Sequence, residues 1–289
     1  MKSPAYNNKM QIPAKALLVL LCTSLAVATV ASAAEPGKLL PTSSLSKQVS
    51  ETARLFSESP PDTTVESRRR TGLRLRDKIS EFIIAQMQAM PEISQELLRT
   101  QLRAILCPNT SAGCDSNHPP YVFTNLWGGT RGSSQFVVSY ALSLGYVGGS
   151  VTVIESYVRD NSTGNVRRTQ RGGNDFDGYV PNFQMVAQCF NPDEIWLLAW
   201  GNVEGASGRG LSGRATVYRV GVDVIQSVWD DAKEDNVTAQ RNEIGWEVNY
   251  ADPKRLYGDD PKPYFLDIYR IDSTKRAFSR IVHYQYSPD

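Results

Sequence analysis

The chain has 289 residues, 41% of them hydrophobic and 21% charged, with a formal net charge of +1. That composition excludes an intrinsically disordered chain, and the near-neutral balance gives no global electrostatic reason to hold nucleic acid or an anionic membrane. With two histidines and four cysteines, most metal and acid–base schemes built on those residues are removed as well.

Residues 1–33 have the three-part layout of a secretory signal peptide. Lys2, Lys9 and Lys15 form a basic n-region, Ala16 to Val30 an apolar h-region, and Ala31-Ser32-Ala33 a small-residue cleavage site before Ala34. A membrane anchor is the competing reading, but Cys22, Thr23 and Ser24 interrupt a stretch already shorter than the roughly 20 residues a spanning helix needs. A lipid anchor at Cys22 is disfavoured by the bulky Leu21 before it. The expected location is therefore secreted or periplasmic. Cleavage removes three positive charges and leaves a mature chain of 256 residues with a net charge of −2.

Residues 34–65 are rich in Pro, Ser and Thr and read as a flexible tether, with one short helix over Leu45–Phe56 and ordered structure beginning after Val65. Ile79, Phe82, Ile83, Met87 and Met90 fall at helical spacing, and Leu98, Leu102 and Ile105 do so again, which predicts a helical hairpin over 66–106. Pro91 is expected to end the first helix and to sit in the first turn of the second. The run Arg68-Arg69-Arg70, with Arg74, Arg76 and Lys78, could meet a polyanion; a solvated helix start is the plainer reading.

In an exported protein, Cys107 and Cys114 are candidates for a disulfide around CPNTSAGC. Cys189 is then left as a buried thiol, and its pairing with either of the other two is the main rival.

From Tyr121 onward, ten runs of β-branched and aromatic residues alternate with Gly, Asn, Asp and Pro clusters. The fold class this predicts is mainly β (α+β), an antiparallel β domain over 107–289 preceded by the helical hairpin. VTVIESYV at 151–158 matches VDVIQSVW at 222–229 at an offset of 71, with further matches nearby, so 121–186 and 195–250 are candidate repeats. Such units resemble propeller blades or the sheets of a sandwich.

Chemistry-bearing motifs are sparse. Gly208, Gly210 and Gly213 match G-x-G-x-x-G, but they lead into the β-type run ATVYRV rather than a helix, so no nucleotide cofactor is expected. Asp175 and Asp177 in GGNDFDGY are weak calcium candidates: a third side-chain oxygen and the closing glutamate are missing, and a plain acidic turn is favoured. His283 is placed on the more polar side of the last strand, and His118 in a loop. The Gly-rich loops following Trp127 and Trp200 carry Arg131 and Arg209, which makes Trp127, Arg131, Trp200 and Arg209 the expected ligand-binding residues.

No catalytic set assembles from these residues, and no cofactor is implied. The expectation is an exported, non-enzymatic binding module for a protein or polysaccharide partner, with no nucleic acid, and with homodimerisation left open. The alternatives are a hydrolase acting on an envelope or extracellular polymer, and a structural subunit that pairs through its sheet edges.

Overall fold

The computed structural model describes residues 43–58, 64–106, 121–125, 133–144, 150–187, 194–203, 213–233, 237–251, 264–272 and 277–286. All of them belong to one unit, Leu40–Asp289. No described helix is long and apolar enough to cross a membrane.

Three helices come first: α1 (Ser43–Ser57), α2 (Val65–Ala89) and α3 (Gln95–Leu106). α1 falls within the stretch read from composition as a tether, and it folds because Val49, Ala53 and Phe56 form an apolar stripe that is buried in the core. The helix is part of the folded unit, and it lies against both α2 and α3. The amide of Ser67 donates to the Thr64 hydroxyl and caps the N-terminus of α2. Pro91 falls in the turn between α2 and α3; α3 starts later, where Ser94 accepts from the amide of Leu97. The expected position of Pro91 inside α3 is corrected: a hydroxyl cap at Ser94 sets the start instead.

Among the described residues twelve strands follow, in three four-stranded antiparallel meanders. The first sheet is β1 (Tyr121–Asn125), β2 (Ser133–Ser143), β3 (Ser150–Asp160) and β4 (Val166–Gly172). The second is β5 (Tyr179–Ala187), β6 (Ile195–Val203), β7 (Gly213–Val220) and β8 (Ile225–Lys233). The third is β9 (Thr238–Arg241), β10 (Gly245–Ala251), β11 (Tyr264–Asp272) and β12 (Ala277–Tyr286). Two strands, β4 and β9, were not among the ten read from the sequence. Their sequences, VRRTQRG and TAQR, carry too few apolar residues to show alternation, and both lie at sheet edges.

The repeating units are whole sheets, starting at Tyr121, Tyr179 and Thr238, 58 and 59 residues apart. The segments matched at an offset of 71 occupy different places in them. Residues 151–158 lie in the third strand of the first sheet, whereas 222–229 enter the last strand of the second only at Ile225.

The sheets are layered by the two faces that β alternation produces. Phe136, Val138, Tyr140, Val151, Val153 and Tyr157 turn one face of the first sheet toward the helices. Val137 and Ile154 turn the other toward Phe183, Ile195, Leu197, Tyr218 and Val220 of the second sheet. The far side of the second sheet, Trp196, Leu198, Ala215 and Val217, packs on Ala239, Trp246, Val248 and Tyr269 of the third. Trp246 stacks on Tyr269 at 5.4 Å and 11°, and Trp229 and Phe278 meet it edge-on. Each buried side chain of this size contributes on the order of 1.5–3 kcal/mol. Close approach is required at Gly213, where a Cβ would lie 2.5 Å from Val237 Cγ2.

Polar groups fasten the layers. Glu155 on β3 is fully buried, and the Ser80 hydroxyl of α2 lies 2.8 Å from each of its oxygens. Arg171 Nε donates to Glu155 at 2.5 Å, and its Nη1 donates to Asp77 of α2 at 2.6 Å. Buried Arg159 donates to the carbonyls of Met87, Met90 and Pro91, satisfying groups left open at the C-terminus of α2.

Candidate ligand-binding site

One end of the third sheet gathers stacked aromatic rings around a buried carboxylate whose basic partners are half exposed. It is built where β10 ends, β11 begins and β12 ends, because the antiparallel register sets Tyr250 opposite Phe265, and Asp267 opposite His283. Alternation then puts Tyr250, Phe265, Asp267, Tyr269, Arg280 and His283 on the face toward the second sheet.

Asp267 is the centre. Its carboxylate is fully buried, with one oxygen 2.7 Å from His283 Nδ1 and the other receiving the Tyr250 hydroxyl at 3.3 Å and Arg280 Nη1 at 3.5 Å. Its basic partners reach water: the side chains of Arg280 and His283 are 49% and 48% exposed. A carboxylate without solvent thus anchors two polar heads that solvent, or a ligand, can reach.

The rings form a row. Phe265 stacks on Tyr250 at 5.3 Å and 22°, and on His283 at 5.3 Å and 12°. Since β11 runs between β10 and β12, its ring is covered from both sides, and the imidazole closes the outer end of the row. Asp231 of β8 approaches from the second sheet and accepts from the Tyr269 hydroxyl at 3.0 Å. Burial pushes the Tyr250 and Tyr269 phenols well above the ordinary tyrosine range, and the Asp231 and Asp267 carboxylates push both in the same direction. Both phenols therefore remain neutral hydrogen-bond donors at any physiological pH.

Of the residues expected from the sequence to bind ligand, Trp200 lies on β6 and packs toward the third sheet, partly buried. Trp127, Arg131 and Arg209 lie outside the described residues, as do Cys107, Cys114, Cys189 and His118. Asp175 lies within a single 3-10 turn, Asn174–Phe176, which Gly173 enters at φ 96°, and Asp177 follows it as the C-cap. The Asp177 carboxylate receives the Thr152 amide at 2.8 Å and Arg69 at 2.6 Å, while Asp175 receives the Tyr218 hydroxyl at 2.8 Å. Those donors tie the turn to β3, α2 and β7. Among the described residues no group of three or more His, Cys, Asp or Glu side chains is placed to hold a metal ion.

Of the basic run on α2, Arg68 lies over the Phe56 ring at 5.5 Å, Arg69 pairs with Asp177, and Arg76 and Lys78 pair with Asp77 and Glu81.

From the sequence, His283 is expected on the more polar side of β12 and has no role. The signal for its site was the spacing of the strands: Phe-Leu-Asp at 265–267 and His-Tyr-Gln at 283–285 come together only once the hairpin register is known. Compared with protein-family models, curated proteins and solved structures, the chain matches none.

Proposed function

We propose that this is an exported binding module that recognises a polysaccharide at the aromatic end of its third sheet. The reading is carried by one observation: fully buried Asp267 holds half-exposed Arg280 and His283 in fixed positions beside the stacked row Tyr250–Phe265–His283. A sugar ring presents an apolar face edged by hydroxyls. The outer face of the His283 ring and the planar Arg280 guanidinium supply the matching surface and donors. Because Asp267 already orients the His283 ring at 2.7 Å, little rotamer entropy of that side chain remains to be lost on binding. The signal-like start of the chain supports export, where such polymers are met.

Isothermal titration with oligosaccharides from plant and microbial cell-wall polymers tests this. At least one should bind, and Arg280→Ala and His283→Ala should each weaken it about tenfold or more. Absence of binding across the panel, or binding indifferent to both substitutions, would overturn the proposal.

A hydrolytic reading draws on a single contact, the Asp267–His283 pair, which leaves Nε2 free to act as a base on water. Shortening of the bound oligosaccharide, or release of its ester groups, on prolonged incubation would favour it over simple binding.

A further inference from the structure

We infer that the outer face of the third sheet is the contact surface of a symmetric dimer of this chain. The first two sheets are covered on both faces, whereas the third packs by one face only among the described residues. Opposite alternation puts Tyr264, Leu266, Ile268 and Arg270 of β11 on the outer face, with Ser279, Val282, Tyr284 and Tyr286 of β12 beside them. The half of this face on β9 and β10 is polar, carrying Thr238, Gln240, Glu247 and Asn249. Leu266, Ile268 and Val282 belong to none of the buried clusters, and the Tyr284 residue is 59% exposed.

The occupant is a second copy because the face complements itself. Consider a two-fold axis lying in the interface, perpendicular to the strands and passing between the rows of Ile268 and Leu266. It sets β11 over β11 and β12 over β12 with their ends exchanged. Ile268 then meets Leu266 of the second copy, and Val282 meets Tyr284. Arg270 comes over Tyr264, a guanidinium on an aromatic face, while Glu247 and Gln240 meet Asn249 and Thr238. Apolar rows meet apolar rows, polar rows meet polar ones, and no like charges are opposed.

The size also fits. Four strands at about 4.8 Å spacing, with seven or eight residues at about 3.3 Å each, give a projection of roughly 19 by 25 Å. With side-chain relief, the accessible area approaches the about 800 Å² per partner of a standard interface. The ligand site proposed above lies on the opposite face of the same sheet, so it stays open in the dimer.

Sedimentation velocity of the purified chain tests the inference. We expect a particle of twice the mass of the single chain, with dissociation increased at least tenfold by Ile268→Glu or by Leu266→Lys. The double variant, which sets each new glutamate against a lysine of the second copy, should dimerise again. Circular dichroism and thermal melting of the single variants separate dissociation from unfolding, and Tyr284→Ala, at an exposed position, provides a milder probe that also weakens the dimer. A wild-type monomer up to about millimolar concentration would overturn the inference. So would a dimer indifferent to all of these variants, or a double variant that stays monomeric while folded.

Discussion

Two fully buried carboxylates, Glu155 in the first sheet and Asp267 in the third, are each held by arginine and tyrosine, yet they sit at opposite ends of the stack of layers. At the helix-covered end, Glu155 takes its bonds from Ser80, Tyr157 and Arg171, and the Arg171 side chain is only 18% exposed. At the open end, the partners of Asp267 are half in water. The same chemical unit thus serves two purposes, and what separates them is the layer placed over it. With α2 on top, Glu155 is satisfied by protein alone and locks helix to sheet. With the second sheet only partly over it, reaching it through the Asp231–Tyr269 bond, the cluster leaves Arg280 and His283 half exposed.

Breaking the closed site should have the largest effect. Glu155→Gln leaves Arg171 buried without its full countercharge, a situation that costs about 3–5 kcal/mol, read from the midpoint of urea unfolding. Asp267→Asn should cost less, about 1–3 kcal/mol, since water can solvate Arg280 and His283, while abolishing the polysaccharide binding proposed here. If the two substitutions destabilised equally, the contrast between a structural and a recognition site would fail.

Arg159→Met probes the closed end again, by removing the donors to three carbonyls near the end of α2. About 1–3 kcal/mol of stability should go, with ligand binding unchanged.

The smallest effect concerns acid. Burial acts to raise the Asp77 carboxyl, but Arg171 and Arg76 outweigh it, so its folded pKa lies below the ordinary aspartate value. A lowered folded pKa contributes stability that is fully present above the unfolded value, about 3.9, and is lost as pH falls through the folded one. Asp77 is largely exposed, so water screens the pair. Asp77→Asn should therefore flatten the fall in stability below about pH 4 only slightly, as followed by urea unfolding at several pH values.

The strong apolar patterns were legible from residue order. Ten strands were placed within a few residues, as were the apolar stripes of α2 and α3, because alternation and helical spacing are local properties. Edge strands escaped for a local reason too: β4 spends its side chains on charge, with Arg168 and Arg171 reaching Glu155. Neither the Asp267 cluster nor the Glu155 cluster could be read, since their members come from elements up to 94 residues apart, as with Asp77 and Arg171.

By itself, then, the sequence determined a β-rich chain with amphipathic helices before it and ordinary globular burial. Tertiary structure alone decided that twelve strands form three sheets rather than two, that α1 belongs to the core, and that Asp267 meets His283. The physical reason is that periodicity fixes which side chains share a face, while only hairpin register and layer packing decide what that face meets.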